Sequence, residues 1–438
     1  MRYSSLGEWL AWQETLHPAK IDLGLERVRA VAQRMGIEQP PYTLITVGGT
    51  NGKGSCVAML EAMLHAAGYR VGAYTSPHLL RYNERVRIDR AVVGDTALCE
   101  AFGRVDAARR DISLSYFEFG TLAALDIFSR AALDAVVLEV GMGGRLDAVN
   151  VMAPDVAVVT TVAVDHSAWL GTDREQIGAE KAGIFRVGRP AVYGDTGPPA
   201  SVVECARDLN VPLLGLGRDF GYEPGGMTWS WWGMGQRRHT LPVPRLRGSY
   251  QLKNAAAAIT ALDVLKSRLP VGLQALRVGL STVDLPGRLQ VLDEKALRIC
   301  DVAHNPQAAA ALALGLSELP CTGRTHAVLA MLADKDLTGV VRALADTVHV
   351  WHVAGLDVER AAAAGRLAAQ VRAVGGAQAV HEYETLPAAL AGAGAAVGPI
   401  DRIVVCGSFY TVAAALESGA DGWRRREGEM QDERLSMG

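Results

Sequence analysis

The stretch LITVGGTNGKGSCVAML, residues 44–60, limits most tightly how this chain can fold. It begins apolar and β-prone and ends with helical character. Between the two halves stand Gly48, Gly49, Gly52 and Gly54, with Lys53 among them. An ordinary strand-to-helix turn needs no such number of glycines. A backbone that must reach positive φ, or bring its amides against a phosphate, does need them, because a Cβ would block both. Amides at a helix N-terminus, the helix dipole and a lysine together form an anion site. Strand, glycines, lysine, the hydroxyl of Ser55 and helix follow in the order of a phosphate-binding loop. The spacing departs from the usual GxxxxGK[ST], since Gly54 separates Lys53 from Ser55 and the first-glycine position falls on Val47. The competing reading is a glycine-rich turn that carries an exposed lysine.

The surroundings of the loop read as α/β. YTLITVG, KGSCVAMLEAMLHAAG and RVGAYTS give strand, helix and strand, the opening of a parallel sheet. Residues 5–35 read as two helical segments, with Leu25, Val28, Val31, Ala32 and Met35 on one stripe. FEFGTLAALDIFSRAAL reads as a helix. DAVVLEVGMGG and DVAVVTTVAVDH read as strands with glycine-rich or charged tails, and in open α/β sheets such carboxyl ends line the ligand crevice. From about 190 to 250 the chain turns rich in Gly, Pro and Trp. A small β-rich excursion is expected there, with Trp229, Trp231 and Trp232 on a half-buried antiparallel flap or, alternatively, forming a ligand shelf. QLKNAAAAITALDVL returns to helix, its alanines read as filler. DLPGRLQVL, with Pro286 and Gly287, reads as a hinge, and a second α/β alternation follows it. The expected architecture is a P-loop domain over residues 1–288 with a mostly parallel sheet and the β-rich excursion. A smaller Rossmann-like α/β domain is expected over 295–420, and a frayed tail over 421–438.

With 438 residues, 49% of them hydrophobic, the chain can build two or three cores. A net charge of −3 argues against general attraction to nucleic acid or an anionic membrane. No apolar run reaches the roughly 18–20 residues of a membrane span, and the N-terminus lacks the apolar core of a signal peptide. Cys56, Cys99, Cys205, Cys300, Cys321 and Cys406 are scattered without paired spacing, which predicts reduced thiols, a cytoplasmic location and no zinc site.

The segment VGGTNGKGS resembles the TNGKGS loop of folylpolyglutamate synthases, relatives of the Mur ligases. YTSPHLLRYNERVRI, YFEFGTLAAL, LEVGMGGRLDAVN, DHSAWLGTDREQIGAEKAGIF, LPGRLQV, DVAHNPQA, MLADKD and CGSFYTV resemble further blocks of that family, in family order. KIDLGLERV is similar to the bacterial bifunctional form, which acts as both dihydrofolate synthase and folylpolyglutamate synthase. Residues 195–250 match least, and LRGSYQLKNAAAA there is closer to the pattern of folylpolyglutamate synthases at large.

The resemblance implies an ATP-dependent amide ligase that joins L-glutamate to 7,8-dihydropteroate and to reduced folates through an acyl phosphate. It places ATP on Thr50, Asn51, Gly52, Lys53, Gly54, Ser55, Asn254, Arg288, Asp301 and His304. It gives Ser76, Glu139, His166 and Lys181 as ligands of magnesium, two ions being expected, with Lys181 carbamylated by CO2. Lys53, Lys181 and His166 are the catalytic candidates. Ile21, Asp22, Leu23, Gly24, Ser115, Tyr116, Phe117, Glu118, Leu146, Asp147 and Ala148 are implied to line the pterin. Gly407 and Ser408 are expected to shape a turn near the crevice. The residues themselves support some of these roles and are neutral on others. A carboxylate such as Glu139 at the end of an apolar strand is costly to bury without a cation, though a buried salt bridge would also meet that cost. His166 is unusual for magnesium, since imidazole suits softer metals. Lys181 alone reads as one more helical lysine, and Arg288 as a linker arginine able to pair with Asp284. A monomer is expected. Two competing readings are a Mur-type ligase acting on another carboxylate and a nucleotide-gated binding protein. The former normally carries a separate N-terminal domain, for which about 40 residues before the loop are too few.

Overall fold

The computed structural model describes residues 2–19, 21–293, 297–375 and 379–417. The tail expected over 421–438 lies outside them. The chain divides into two compact units, Met1–Arg245 with Tyr250–Leu285, and Leu246–Ser249 with Pro286–Gly438. Among the described residues no helix is long and apolar enough to cross a membrane.

The first unit is built on an eight-stranded sheet of β1 (Thr43–Gly48), β2 (Val71–Tyr74), β3 (Val86–Ile88), β4 (Ala91–Val92), β5 (Ala135–Glu139), β6 (Val156–Val159), β7 (Ala191–Tyr193) and β8 (Leu213–Gly215). Its order is β4-β3-β2-β5-β1-β6-β7-β8. Only the β2–β3 and β3–β4 pairs are antiparallel. Every residue of β1, β5 and β6 is buried. That is why these strands read as unbroken apolar runs: helices cover both faces of a parallel sheet. The glycine-rich loop leaves the central strand β1 for the helix Lys53–Ala66, which is buried from Gly54 to Leu64. The helices Gln251–Val264 and Leu273–Thr282 pack on it. A Cβ on Gly279 would sit 2.6 Å from the Met63 Cα, so glycine permits the close approach. Ala255, Ala256, Ala257 and Ala258 are buried, so the alanine run is a packing surface rather than filler.

The β-rich excursion is shorter than expected. Residues 191–215 extend the main sheet through β7, the helix Ala200–Asp208 and β8. The separate antiparallel sheet comprises only β9 (Phe220–Gly225), β10 (Thr228–Gly233) and β11 (Gln236–Pro242). Burial alternates along β10. Trp229 and Trp231 point inward, and their indole N–H groups donate to the Pro242 carbonyl (2.8 Å) and the Thr260 hydroxyl (3.1 Å). These two rings are core, not a ligand shelf.

The second unit holds a six-stranded sheet of β12 (Gln290–Asp293), β13 (Arg298–Cys300), β14 (Thr325–Leu329), β15 (Val350–Ala354), β16 (Ala379–Tyr383) and β17 (Arg402–Cys406), ordered β12-β13-β17-β14-β15-β16. All pairs but β12–β13 are parallel. On one face Ala327, Leu329, Trp351 and Val353 join a core with the helices Pro306–Ser317 and Leu337–Leu344. The opposite face carries a row of histidines from β14, β15 and β16. The His326 and His352 rings stack at 5.5 Å and those of His352 and His381 at 5.2 Å. His352 links the His326 Nδ1 (3.2 Å) to the Tyr383 hydroxyl (3.1 Å). Both units are α/β, as the alternation of apolar patterns predicts.

Candidate functional site

Parallel pairing brings the carboxyl ends of the central strands level. Val47 lies opposite Glu139, Gly48 opposite Val159, and Tyr74 opposite Leu138. The loop begins at this rim. Gly49 has φ 141° and Gly52 φ 86°. A Cβ on Gly49 would strike the Thr160 hydroxyl, and one on Gly52 would come within 2.6 Å of the Asn254 Oδ1. Both positions therefore require glycine twice over, for φ and for space.

Two residues that the sequence reading did not select, Thr160 and Thr161, strap the loop down, and Thr50 adds a bond of its own. The Thr160 hydroxyl donates to the Asn51 carbonyl (2.7 Å), the Thr161 hydroxyl accepts from the Asn51 N–H (3.0 Å), and the Thr50 hydroxyl donates to the Ala163 carbonyl (3.1 Å). The signal was the polar pair TT directly after the apolar VAVV. Ser55 is buried in the first turn of the helix.

Two lysines converge on the loop. The Lys53 Nζ donates to the carbonyls of Gly49 and Thr50, each at 3.2 Å. The Lys181 Nζ, from the helix Arg174–Ala182, donates to the same Gly49 carbonyl at 3.0 Å. Lys181 is 3% exposed. Burial, together with the nearby Lys53 charge, pushes its ammonium down to about 7. The Asp165 charge opposes the fall. Asp165 thus belongs to this neighbourhood, although only His166 beside it was singled out. His166 sits at φ 52° at the start of the short helix Ser167–Leu170, its side chain 39% exposed. Glu139 is buried, and its carboxylate accepts from the Ser76 N–H at 3.2 Å.

Among the described residues no group of three or more His, Cys, Asp or Glu side chains is arranged to hold a metal ion. The expected donors are the Ser76 hydroxyl, the Glu139 carboxylate and the His166 imidazole, with the Asp165 carboxylate in the same neighbourhood. The oxygen donors suit a hard cation that keeps waters.

The acceptor candidates form a second group in the same unit. Phe117 stands 6.1 Å from the Tyr74 ring. A Cβ on Gly141 would meet the Phe117 ring at 2.6 Å and the Asp147 carboxylate at 3.2 Å, so an aromatic face and a carboxylate flank this glycine. Asp147 accepts from the N–H groups of Met142 (2.9 Å) and Val149 (3.0 Å), yet burial lifts its carboxyl to about 6. Leu146 and Ala148 adjoin it, Ala148 being buried. Ser115 caps the helix Tyr116–Arg130 in a reciprocal box with Glu118. Glu118 also binds Arg27 at 3.0 Å. Asp22 pairs with Arg27 at 2.7 Å, within the partly buried run Ile21, Asp22, Leu23 and Gly24. Ser115, Glu118 and Asp22 thus all carry structural bonds, while Phe117 and Asp147 face each other across a glycine.

In the second unit Arg288 and His304 meet around a residue the sequence reading passed over. The Arg288 guanidinium lies 5.1 Å from the Phe409 ring centre, and the His304 ring 6.2 Å from it. The Asp301 carboxylate is buried and accepts from the N–H groups of Leu289 (2.7 Å) and Ala303 (2.8 Å). Burial raises its carboxyl, and the Arg288 charge opposes that rise. Gly407 has φ 114°, where a Cβ would strike the Ala330 carbonyl, and the Ser408 hydroxyl accepts from the Thr411 N–H at 3.0 Å. Those two residues shape the turn into the helix Phe409–Glu417 that presents Phe409.

Residues 47–193 match the Mur ligase middle domain, and residues 287–409 the glutamate ligase domain of Mur ligases. The chain is 44% identical over 415 residues to the dihydrofolate synthase/folylpolyglutamate synthase of Escherichia coli K12, covering 94% of this chain and 95% of that one. It is 38% identical over 429 residues to the protein of that name from Haemophilus influenzae, covering 94% and 96%. Among solved structures, E. coli FolC in complex with DHPP and ADP superposes with a TM-score of 0.90 at 42% identity, over 99% of each chain. A bifunctional folylpolyglutamate synthase/dihydrofolate synthase with Mn, AMPPNP and L-glutamate bound superposes with a TM-score of 0.88 at 43% identity, over 95% of this chain and 98% of that one.

Proposed function

Because the chain belongs to the dihydrofolate synthase/folylpolyglutamate synthase family of Mur-type ligases, an ATP-dependent group, we propose roles for its own residues in joining L-glutamate to 7,8-dihydropteroate and to reduced folates. A carboxylate resists attack by an amine, so it must first be activated. ATP gives up its γ-phosphoryl group to the acceptor carboxylate, forming an acyl phosphate and ADP. The glutamate amine then attacks the carbonyl, phosphate leaves, and the amine proton passes to solvent.

The loop Thr50, Asn51, Gly52, Lys53, Gly54 and Ser55 holds the triphosphate. Lys53 supplies the charge that the transferring phosphoryl group needs, and Asn254 presses on the loop at Gly52. Arg288, Asp301 and His304 are read as further nucleotide-binding residues. Phe117 offers its ring to the pterin and Asp147 accepts from the pterin N–H groups, with Asp22 nearby. Ser76, Glu139 and His166 hold the divalent cation, read here as magnesium, which neutralises phosphate charge when bound.

Lys181 is read as the carbamylated residue. Its amine adds to CO2, loses a proton, and becomes an anion able to hold a second cation. Burial beside Lys53 supports this, because only a neutral amine adds to CO2. The chain is read as a cytoplasmic monomer. The observation that carries the whole reading is the meeting of Lys53 and Lys181 on one carbonyl at the end of the central strand. An ADP-release assay tests it. Release above background is expected only with dihydropteroate and glutamate together. Equal release with either omitted would refute the ligase reading.

A further inference from the structure

Arg85 is an arginine in an unusual place. It is 9% exposed, and among the described residues no carboxylate pairs with it. Its carbonyl accepts from the Thr75 N–H at 2.9 Å, which fixes it at the carboxyl end of β2, one residue short of Ser76. The guanidinium lies over two phenol rings, 5.2 Å from the centre of Tyr82 and 5.6 Å from that of Tyr116. Its Nε donates to the His78 Nδ1 at 2.9 Å. That bond uses the imidazole's lone pair and requires a neutral ring.

The neighbouring carboxylate does not answer the charge. Glu84 spends its oxygens on the N–H groups of Leu79 (2.7 Å), Leu80 (2.8 Å) and Arg81 (2.7 Å). A buried cation normally finds an anion. Arg87, two residues on, shows the ordinary solution, pairing with the buried Glu61 at 2.9 Å. Aromatic faces and a neutral histidine orient Arg85 without neutralising it. Tyr116 precedes Phe117, and Tyr74, whose ring lies 6.1 Å from that of Phe117, also feels the Arg85 charge.

The geometry points to Arg85 as a binding residue for a substrate carboxylate, the planar guanidinium being suited to a paired contact with two carboxylate oxygens. This rests on the ligase reading, which supplies two such substrates, the pteroyl acid and L-glutamate. The aromatic rings serve as a rigid holder, and the incoming anion completes the ion pair.

The test is steady-state kinetics on Arg85→Gln and Arg85→Lys, with ATP affinity measured by equilibrium binding. The proposal expects Arg85→Gln to raise KM at least tenfold for one carboxylate substrate, with ATP affinity within twofold of the parent and with Arg85→Lys recovering part of the loss. A rise in KM for dihydropteroate assigns the contact to the acceptor carboxylate, and a rise for glutamate assigns it to a carboxylate of glutamate. KM values for both within twofold of the parent would overturn the proposal. So would a loss of ATP binding equal to the loss in kcat/KM, which marks a purely structural role. A measurement on the parent alone covers the case of variants that do not fold. A pteroyl analogue lacking its carboxylate and glutamate analogues lacking either the α- or the side-chain carboxylate are compared with the natural compounds, and unchanged binding of all of them would overturn the proposal. Failure of the ligase reading shows separately, as a parent enzyme that releases ADP without either substrate.

Discussion

The Gly49 carbonyl receives two ammonium groups, one visible in the sequence and one hidden in it. Lys53 declares itself by its glycine neighbours. Lys181 lies in AEKAGIF, where nothing local distinguishes it, and its buried place comes from packing between residues 132 positions apart. Its lowered proton affinity gives a directional prediction. With an ammonium that titrates near 7, the neutral amine should rise from roughly a tenth at pH 6 to roughly nine-tenths at pH 8. Enzyme stripped of CO2 should therefore regain activity faster as pH rises through 7 at constant dissolved CO2, and pH-independent recovery would count against the carbamate. Lys181→Ala should lose about 10²-fold or more in kcat, keep most of its ATP affinity, and respond partly to an added short carboxylic acid. Thr160 and Phe409 were missed for a related reason. A threonine after a strand and a phenylalanine after CGS are ordinary until the fold places them beside Asn51 and Arg288.

Elements were legible where burial was uniform. The fully buried strands β1, β5, β14 and β17 stood out as apolar runs. The β3–β4 hairpin did not, because its turn uses Asp89 and Arg90 at φ 52° and 69° instead of the glycine such turns favour. The Asp89 side chain, accepting from the Val71 N–H at 2.9 Å, helps hold that turn. β7 and β8 have three residues each, too few for periodicity to register, and so were absorbed into the supposed excursion. The helix that carries Phe117 offers a prediction at this scale. Its Ser115–Glu118 capping box satisfies two backbone donors. Ser115→Ala should cost about 1 kcal/mol of stability, read as a lower urea midpoint. It should also raise KM for the pteroyl acceptor, because the first turn fixes the Phe117 ring. A stability loss with unchanged KM would confine Ser115 to the helix cap.

For the molecule as a whole, the histidine row makes the second unit sensitive to acid. Burial, with the charges of His326 and His381, brings His352 down to about 4, and burial also lowers His326. Asp401 favours the charged form of His326, Arg324 and His349 oppose it, and the Tyr383 hydroxyl faces His352. An unfolded chain protonates its histidines near 6.5, before the folded one can. Stability should therefore fall as pH drops from about 6.5 towards 4, by on the order of 2–3 kcal/mol. His352→Asn should flatten that fall in urea titrations, and an equally steep fall would place the acid sensitivity elsewhere. Chain connectivity has its own consequence. Residues 246–249 belong to the second unit although residues 250–285 return to the first. A fragment ending at residue 285 would keep Leu246, buried in the intact protein, and lose the unit in which it is counted. The two halves therefore cannot be harvested cleanly with one cut, and a dissected first half would carry a greasy stub as a seed for aggregation.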